Sequence, residues 1–117
     1  MKDARFDLEE RTFLFAKRVR RFIKSLPRTL ANVEDAKQLI RASGSVGANY
    51  IEANEALGQK DFQMHLRICR KEAKESRYFL RLLDLGDEDV PHTERDALIQ
   101  ESRELTSIFS AILKKSL

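Results

Sequence analysis

Two glutamate pairs at one-turn spacing, Glu52-x-x-Glu55 and Glu72-x-x-Glu75, are the side chains of this sequence best arranged for chemistry. On neighbouring antiparallel helices such pairs could converge, as the carboxylates of di-iron bundles do. Those centres also need a Glu-x-x-His pair on each of two helices, and neither His65 nor His92 supplies one. The carboxylates are therefore expected to be structural, answering Arg, Lys, Tyr or Asn groups between helices or between subunits. A desolvated carboxylate needs a cation or several donors, and Arg41 and Tyr50 are the candidates on the preceding helix. His92 stands beside Pro91 in a turn-like stretch and is expected to be solvated. No phosphate-binding glycine loop, nucleophile elbow or cysteine pair occurs. No catalytic residue, metal or cofactor is expected.

The cations carry more pattern. Arg11 to Arg28 contains seven Lys/Arg and no Asp/Glu, and Lys17, Arg21, Lys24 and Arg28 fall on one helical face. Further on, Lys60, Arg67, Arg70, Lys74, Arg77 and Arg81 follow four- and three-residue steps, interrupted at Gln63. Like charges at that spacing repel by a few tenths of a kcal/mol per pair, roughly. Two basic faces in one small protein would attract a polyanion, of which nucleic acid is the commonest. The candidate phosphate contacts are Lys17, Arg20, Arg21, Lys24, Arg67, Arg70, Lys74 and Arg77. No base-reading motif accompanies them, so RNA or DNA would be held by its backbone, with strong salt dependence. The net charge is only +3, and Glu34, Asp35, Glu52, Glu55 and Asp87 to Asp89 are available as partners. An acidic protein partner could dock on the same faces, and the competing expectation is a solvated face, or cations consumed by acidic residues of neighbouring subunits, on a structural or protein-interaction module.

Long helices must position these residues. Proline occurs only at Pro27 and Pro91, and glycine only at positions 44, 47, 58 and 86 of 117. The first helix is expected over about 8–26, where Leu8, Thr12, Phe15, Val19, Phe22, Ile23 and Leu26 share a face and Pro27 stops the run. The second, 32–57, opens on Asn32 as N-cap and closes at Gly58. Its apolar set includes Leu39, Ile40, Val46, Tyr50, Ile51 and Leu57. Ser43 to Ala48 brings two glycines into its middle, each costing about 1 kcal/mol against alanine. Close approach of another backbone would compensate, and a helix break there is the alternative.

The third helix, 59–85, has a four-three seam of Phe62, Leu66, Cys69, Ala73, Ser76, Leu80 and Leu83, with Glu72 and Glu75 on one flank beside Ile68, Phe79 and Leu82. The fourth, 93–115, starts from a Thr93/Asp96 capping box. Four such helices with short loops predict an all-α, antiparallel up-down-up-down bundle in a single domain, 1–117. With 42% hydrophobic and 35% charged residues the chain is neither disordered nor membrane-spanning in composition. The charged start and the single Cys69 predict no secretory signal and a reducing cytoplasm.

The stretches Gln38 to Ala53 and Asp61 to Ser76 resemble the four-helix-bundle family of 23S rRNA intervening-sequence proteins. The shared pattern is an Arg, a small-residue run, Ser-hydrophobic-x-x-Asn-x-x-Glu, then Phe with a Leu-x-Ile-hydrophobic helix. Arg41, Ser45, Asn49, Glu52, Phe62, Leu66 and Ile68 match it, over a resemblance spanning Phe6 to Leu113. Ala53 stands where a glycine is usual, and Lys71-Glu72 where Gly-Ser is usual. The resemblance implies a homo-oligomeric ring, typically a pentamer, with no catalytic residues. From the residues themselves, Arg41, Asn49, Glu52, Glu72 and Glu75 are expected to make polar contacts within or between subunits. A related bundle, the accessory protein of diversity-generating retroelements, binds nucleic acid, which extends that expectation here by analogy.

Overall fold

A computed structural model describes the backbone of residues 4–117 and the side chains of residues 8–117; Met1 to Asp3, from which the absence of a leader is argued, lie outside the described residues. Four helices follow one another: α1 Ala4–Ile23, α2 Leu30–Asn54, α3 Gln59–Leu82 and α4 Asp89–Ser116. There is no strand among the described residues. Each helix packs against its two neighbours in a square, α1 on α2 and α4, and α3 on α2 and α4.

Paired side chains give the directions. Thr12 meets Gly47 while Glu9 meets Asn54, so α1 and α2 run oppositely. Arg41 meets Glu72 while Asn49 meets His65, so α2 and α3 do too. Gln63 donates to the Ser116 carbonyl at one end of α3 and α4, and Arg11 and Arg18 reach Glu101 and Glu94 along α1 and α4. The bundle is antiparallel, up-down-up-down.

The core follows the predicted seams. Phe15, Val19, Leu39, Val46, Leu66, Leu80, Leu98, Leu105 and Phe109 are fully buried, and Tyr50 lies across the centre on Phe109 with ring centroids 6.0 Å apart. Each such side chain contributes about 1.5–3 kcal/mol of transfer free energy. Buried hydroxyls take carbonyls of their own helix: Thr12 donates to Leu8, Ser76 to Glu72 and Ser102 to Ile99. Small polar residues can therefore sit at helix contacts without an orphaned group. α2 is continuous through Ser43 to Ala48, with no break. A Cβ at Gly47 would come within 2.9 Å of the Thr12 hydroxyl, so it is a side chain of α1 that presses on the glycine.

The helix ends depart from the sequence expectation, each for a local reason. α1 stops at Ile23, where Ser25 gives both its N–H and its hydroxyl to the Phe22 carbonyl; Leu26 stays buried in the turn. Thr29, not Asn32, caps α2, its hydroxyl accepting from the Asn32 N–H at 3.1 Å. The Asn32 amide is instead buried in a tertiary contact. It donates to the Pro27 and Asp84 carbonyls at 2.9 and 2.8 Å and accepts from the Asp84 N–H at 3.0 Å.

That claim on Asp84 removes the backbone groups α3 would need to continue, so α3 ends at Leu82. Leu83 and Leu85 are buried in extended chain, before Gly86 turns with φ +74°. α2 ends at Asn54 because nothing remains beyond Ala53 to cover: Leu57 is fully exposed. Ile40 and Ile51, counted with the core face, are exposed as well. Gly58 caps the start of α3 rather than closing α2. α4 begins four residues early, at Asp89, with Pro91 buried in its first turn, where a missing N–H costs nothing. The Thr93/Asp96 box does not form; Thr93 donates back to the Asp89 carbonyl at 3.3 Å.

Candidate nucleic-acid interface

Toward α2, α3 presents acid. Glu72 is buried, and its carboxylate takes Nη1 of Arg41 at 2.8 Å while Glu75 takes Nη2 at 2.6 Å. The hydrogen bond that Arg41 donates to Glu72, then the charge of that carboxylate, raises the Arg41 pKa. Arg41 is thus the cation that both glutamates meet, whereas Tyr50 packs on Phe109.

Two turns along, Asn49 donates its amide to the Ser45 carbonyl and hydroxyl, which turns its oxygen toward Nδ1 of His65 at 3.1 Å. Nε2 of His65 lies 3.4 Å from Asp61. Glu52 is exposed and makes no pair with a described side chain, so it is not part of this seam. His92, expected to be solvated, is half-buried with Nε2 3.0 Å from the Gly86 carbonyl. Among the described residues no three His, Cys, Asp or Glu side chains gather as metal ligands. Cys69 is fully buried, and burial pushes its thiol up to about 12, the opposite of an activated nucleophile.

The outer side of α3 presents mostly base. Arg67, Arg70, Lys71 and Lys74 line a shallow depression of about 400 Å³ that ends at Tyr78, with Glu75 as its one acid. Arg77 follows, and Arg81 shares a second depression, about 360 Å³, with Arg95, Ile99 and Arg103 of α4. Asp96 sits on that rim, 3.8 Å from Nε of Arg95, within ion-pair range but too far for a hydrogen bond, and that buried nitrogen has no hydrogen-bond partner among the described residues. None of Arg67, Arg70, Lys71, Lys74, Arg77, Arg81 or Arg103 forms an ion pair or hydrogen bond with a described side chain. The surface is a continuous cationic strip along α3, widened by α4.

The cations of α1 do not join it, because α1 faces α3 across the core. Arg11 and Arg18 are held by Glu101, Glu104 and Glu94 of α4. Arg20 crosses over Gly44 and donates to the Ala16 and Ile40 carbonyls. Lys17 borders an apolar groove between α1 and α2, Arg21 lies beside Glu88 and Glu94, and Lys24 is at the bundle's end with Pro27 and Arg28. The two basic faces of the sequence are separate surfaces, and only the α3 one is continuous.

Lys71, Tyr78, Arg95 and Arg103 are absent from the sequence-based candidates. Lys71, Lys74 and Tyr78 at steps of three and four were legible as one exposed row. Arg95 and Arg103 needed the tertiary fold, since α4 turns its glutamates to α1 and these arginines away from them.

A groove of about 320 Å³ separates α1 from α2, floored by Gly44, Gly47 and Ala48 and flanked by Phe13 and Ile51, each more than half exposed. Among the described residues no helix is long and apolar enough to cross a membrane.

No curated protein matches the chain. A crystal structure of a protein with unknown function from the S23 ribosomal protein family of Bacteroides thetaiotaomicron VPI-5482 is similar to it: 27% identical, TM-score 0.78, covering 94% of this chain and 97% of that one. The same four-helix arrangement is therefore found in a solved relative. Residues 5–111 match the family described as 23S rRNA-intervening sequence protein, and with nearly its whole length matched the chain belongs to that family.

Proposed function

We propose that the chain is a non-enzymatic bundle that assembles with copies of itself into a ring and binds the backbone of RNA or DNA through the outer face of α3. The observation that carries the binding half is the run of cations from Arg67 to Arg81, whose two bordering acids, Glu75 and Asp96, pair with none of them. Cations one turn apart repel unless an anion lies over them, and a phosphate backbone supplies that anion along the length of the helix. Arg67, Arg70, Lys74 and Arg77 are its centre. The α1 residues Lys17, Arg20, Arg21 and Lys24 are assigned no more than a peripheral part. Self-association is supported by the apolar groove of α1 and α2, on the side away from α3, so a ring closed there leaves the cationic strip open. Five subunits is the number the family resemblance implies. A single, buried cysteine suits the reducing cytoplasm.

A gel-shift titration against mixed RNA and duplex DNA over a salt series tests the binding half: affinity should fall steeply as salt rises. Absence of any shift at low salt leaves the second reading, a structural or protein-interaction module that the exposed Phe13 and Ile51 favour and that could take an acidic protein partner. Light scattering tests assembly, since a particle of one 13.6 kDa chain excludes the ring.

A further inference from the structure

Tyr78 is an anomaly on the cationic strip. The residue is 56% exposed, more than Met64 and Leu82, the other large apolar side chains that α3 leaves open at 47% and 49%. Phe79, packed on the core, meets it edge-on with centroids 5.3 Å apart and planes at 83°, which fixes one side of the ring and leaves the rest open. Lys74 and Lys71 lie four and seven residues back, about 6 and 10 Å along the axis, and line the same depression. The one acid there, Glu75, is engaged by Arg41. A directed aromatic face thus adjoins a row of unanswered cations.

Building on the backbone reading above, we infer that this face takes single-stranded nucleic acid, with Tyr78 as the platform on which an unpaired base stacks while Lys71, Lys74 and Arg70 hold the adjoining phosphates. A duplex hides its base faces within the stack and could engage only the cations. A single strand, loop or end offers both a π-face and a backbone, the two chemistries that α3 sets side by side. Stacking is tolerant of sequence, which fits a surface without base-edge donors arranged to read one.

The test uses the full chain with a short single-stranded RNA, the single-stranded DNA of the same sequence, their duplexes, and inorganic polyphosphate. The chain has no tryptophan and only two tyrosines, of which Tyr50 is buried, so quenching of intrinsic tyrosine emission reports on Tyr78 directly. Single strands should quench; duplex and polyphosphate should bind without quenching. Tyr78→Ala should weaken single-strand binding about 5- to 100-fold and leave duplex binding within about twofold, while Tyr78→Phe should keep the single-strand affinity. If duplex and single strand bind alike and Tyr78→Ala changes neither, the stacking inference falls and the backbone reading stands. If nothing binds, polyphosphate included, both fall. If Tyr78→Ala instead lowers the particle mass, Tyr78 is a contact between copies and the inference is overturned.

Discussion

Arg11 on α1 and Arg67 on α3 occupy comparable places, on the outward side of an amphipathic helix, in runs that look equally basic in sequence. Their surroundings differ. Arg11 forks onto Glu101 at 2.8 and 2.7 Å and reaches Glu104 at 3.1 Å, which holds its guanidinium well above the ordinary arginine range. Arg67 has no carboxylate to meet. The first arginine fastens two helices; the second awaits a partner from outside. Counting cations along a helix cannot separate these cases, because the answer lies on the neighbouring helix: α4 turns its glutamates toward α1 and Arg95 and Arg103 toward the α3 side.

The strongest way to break this contrast is to neutralise α3. Changing Arg67, Arg70, Lys74 and Arg77 to Gln should lower nucleic-acid affinity by more than about 100-fold at low salt and flatten the log–log salt slope by roughly 3 units. Fluorescence anisotropy reads both, and an unaltered slope would remove α3 from the interface. Next in size, Arg41→Ala should cost about 2 kcal/mol in urea denaturation, because it strands the buried Glu72 carboxylate. The arginine itself is half exposed, which keeps the loss from being larger. A loss in binding with stability intact would move Arg41 from the helix contact to the nucleic-acid face. Arg11→Ala should cost about 0.5–1 kcal/mol, less at high salt, with binding unchanged. The smallest effect should come from Lys17→Gln, which ought to leave melting temperature and salt slope alike unmoved. A shift of a full unit in that slope would place α1 in the interface after all.

Most of the architecture was legible beforehand, because Leu66, Cys69, Ala73, Ser76 and Leu80 repeat at a spacing that only a packed helix satisfies. The ends were not legible. Asn32 is a good cap by type, yet Thr29 stands three residues before it, and only the position of Asp84, 52 residues away, determines which of the two is freed for a tertiary contact. Pro91 looked like part of a loop because proline excludes helix interiors, while a first turn accepts it. At the candidate site, the rows of charge on α3 could be read from spacing alone. That those on α1 are scattered among acids, carbonyls and an apolar groove could not, since the pairings cross the bundle.

The single amide of Asn32 stitches both connections at one end of the bundle, the turn after α1 and the chain leaving α3. Breathing motions must therefore begin at the opposite end, around the bare Leu57 corner, and amide exchange should be fastest there and slowest beside Asn32. That asymmetry makes residues 55–58 the natural place to splice in a reporter or join a second protein, since a bulky insertion there would leave the sewn end untouched.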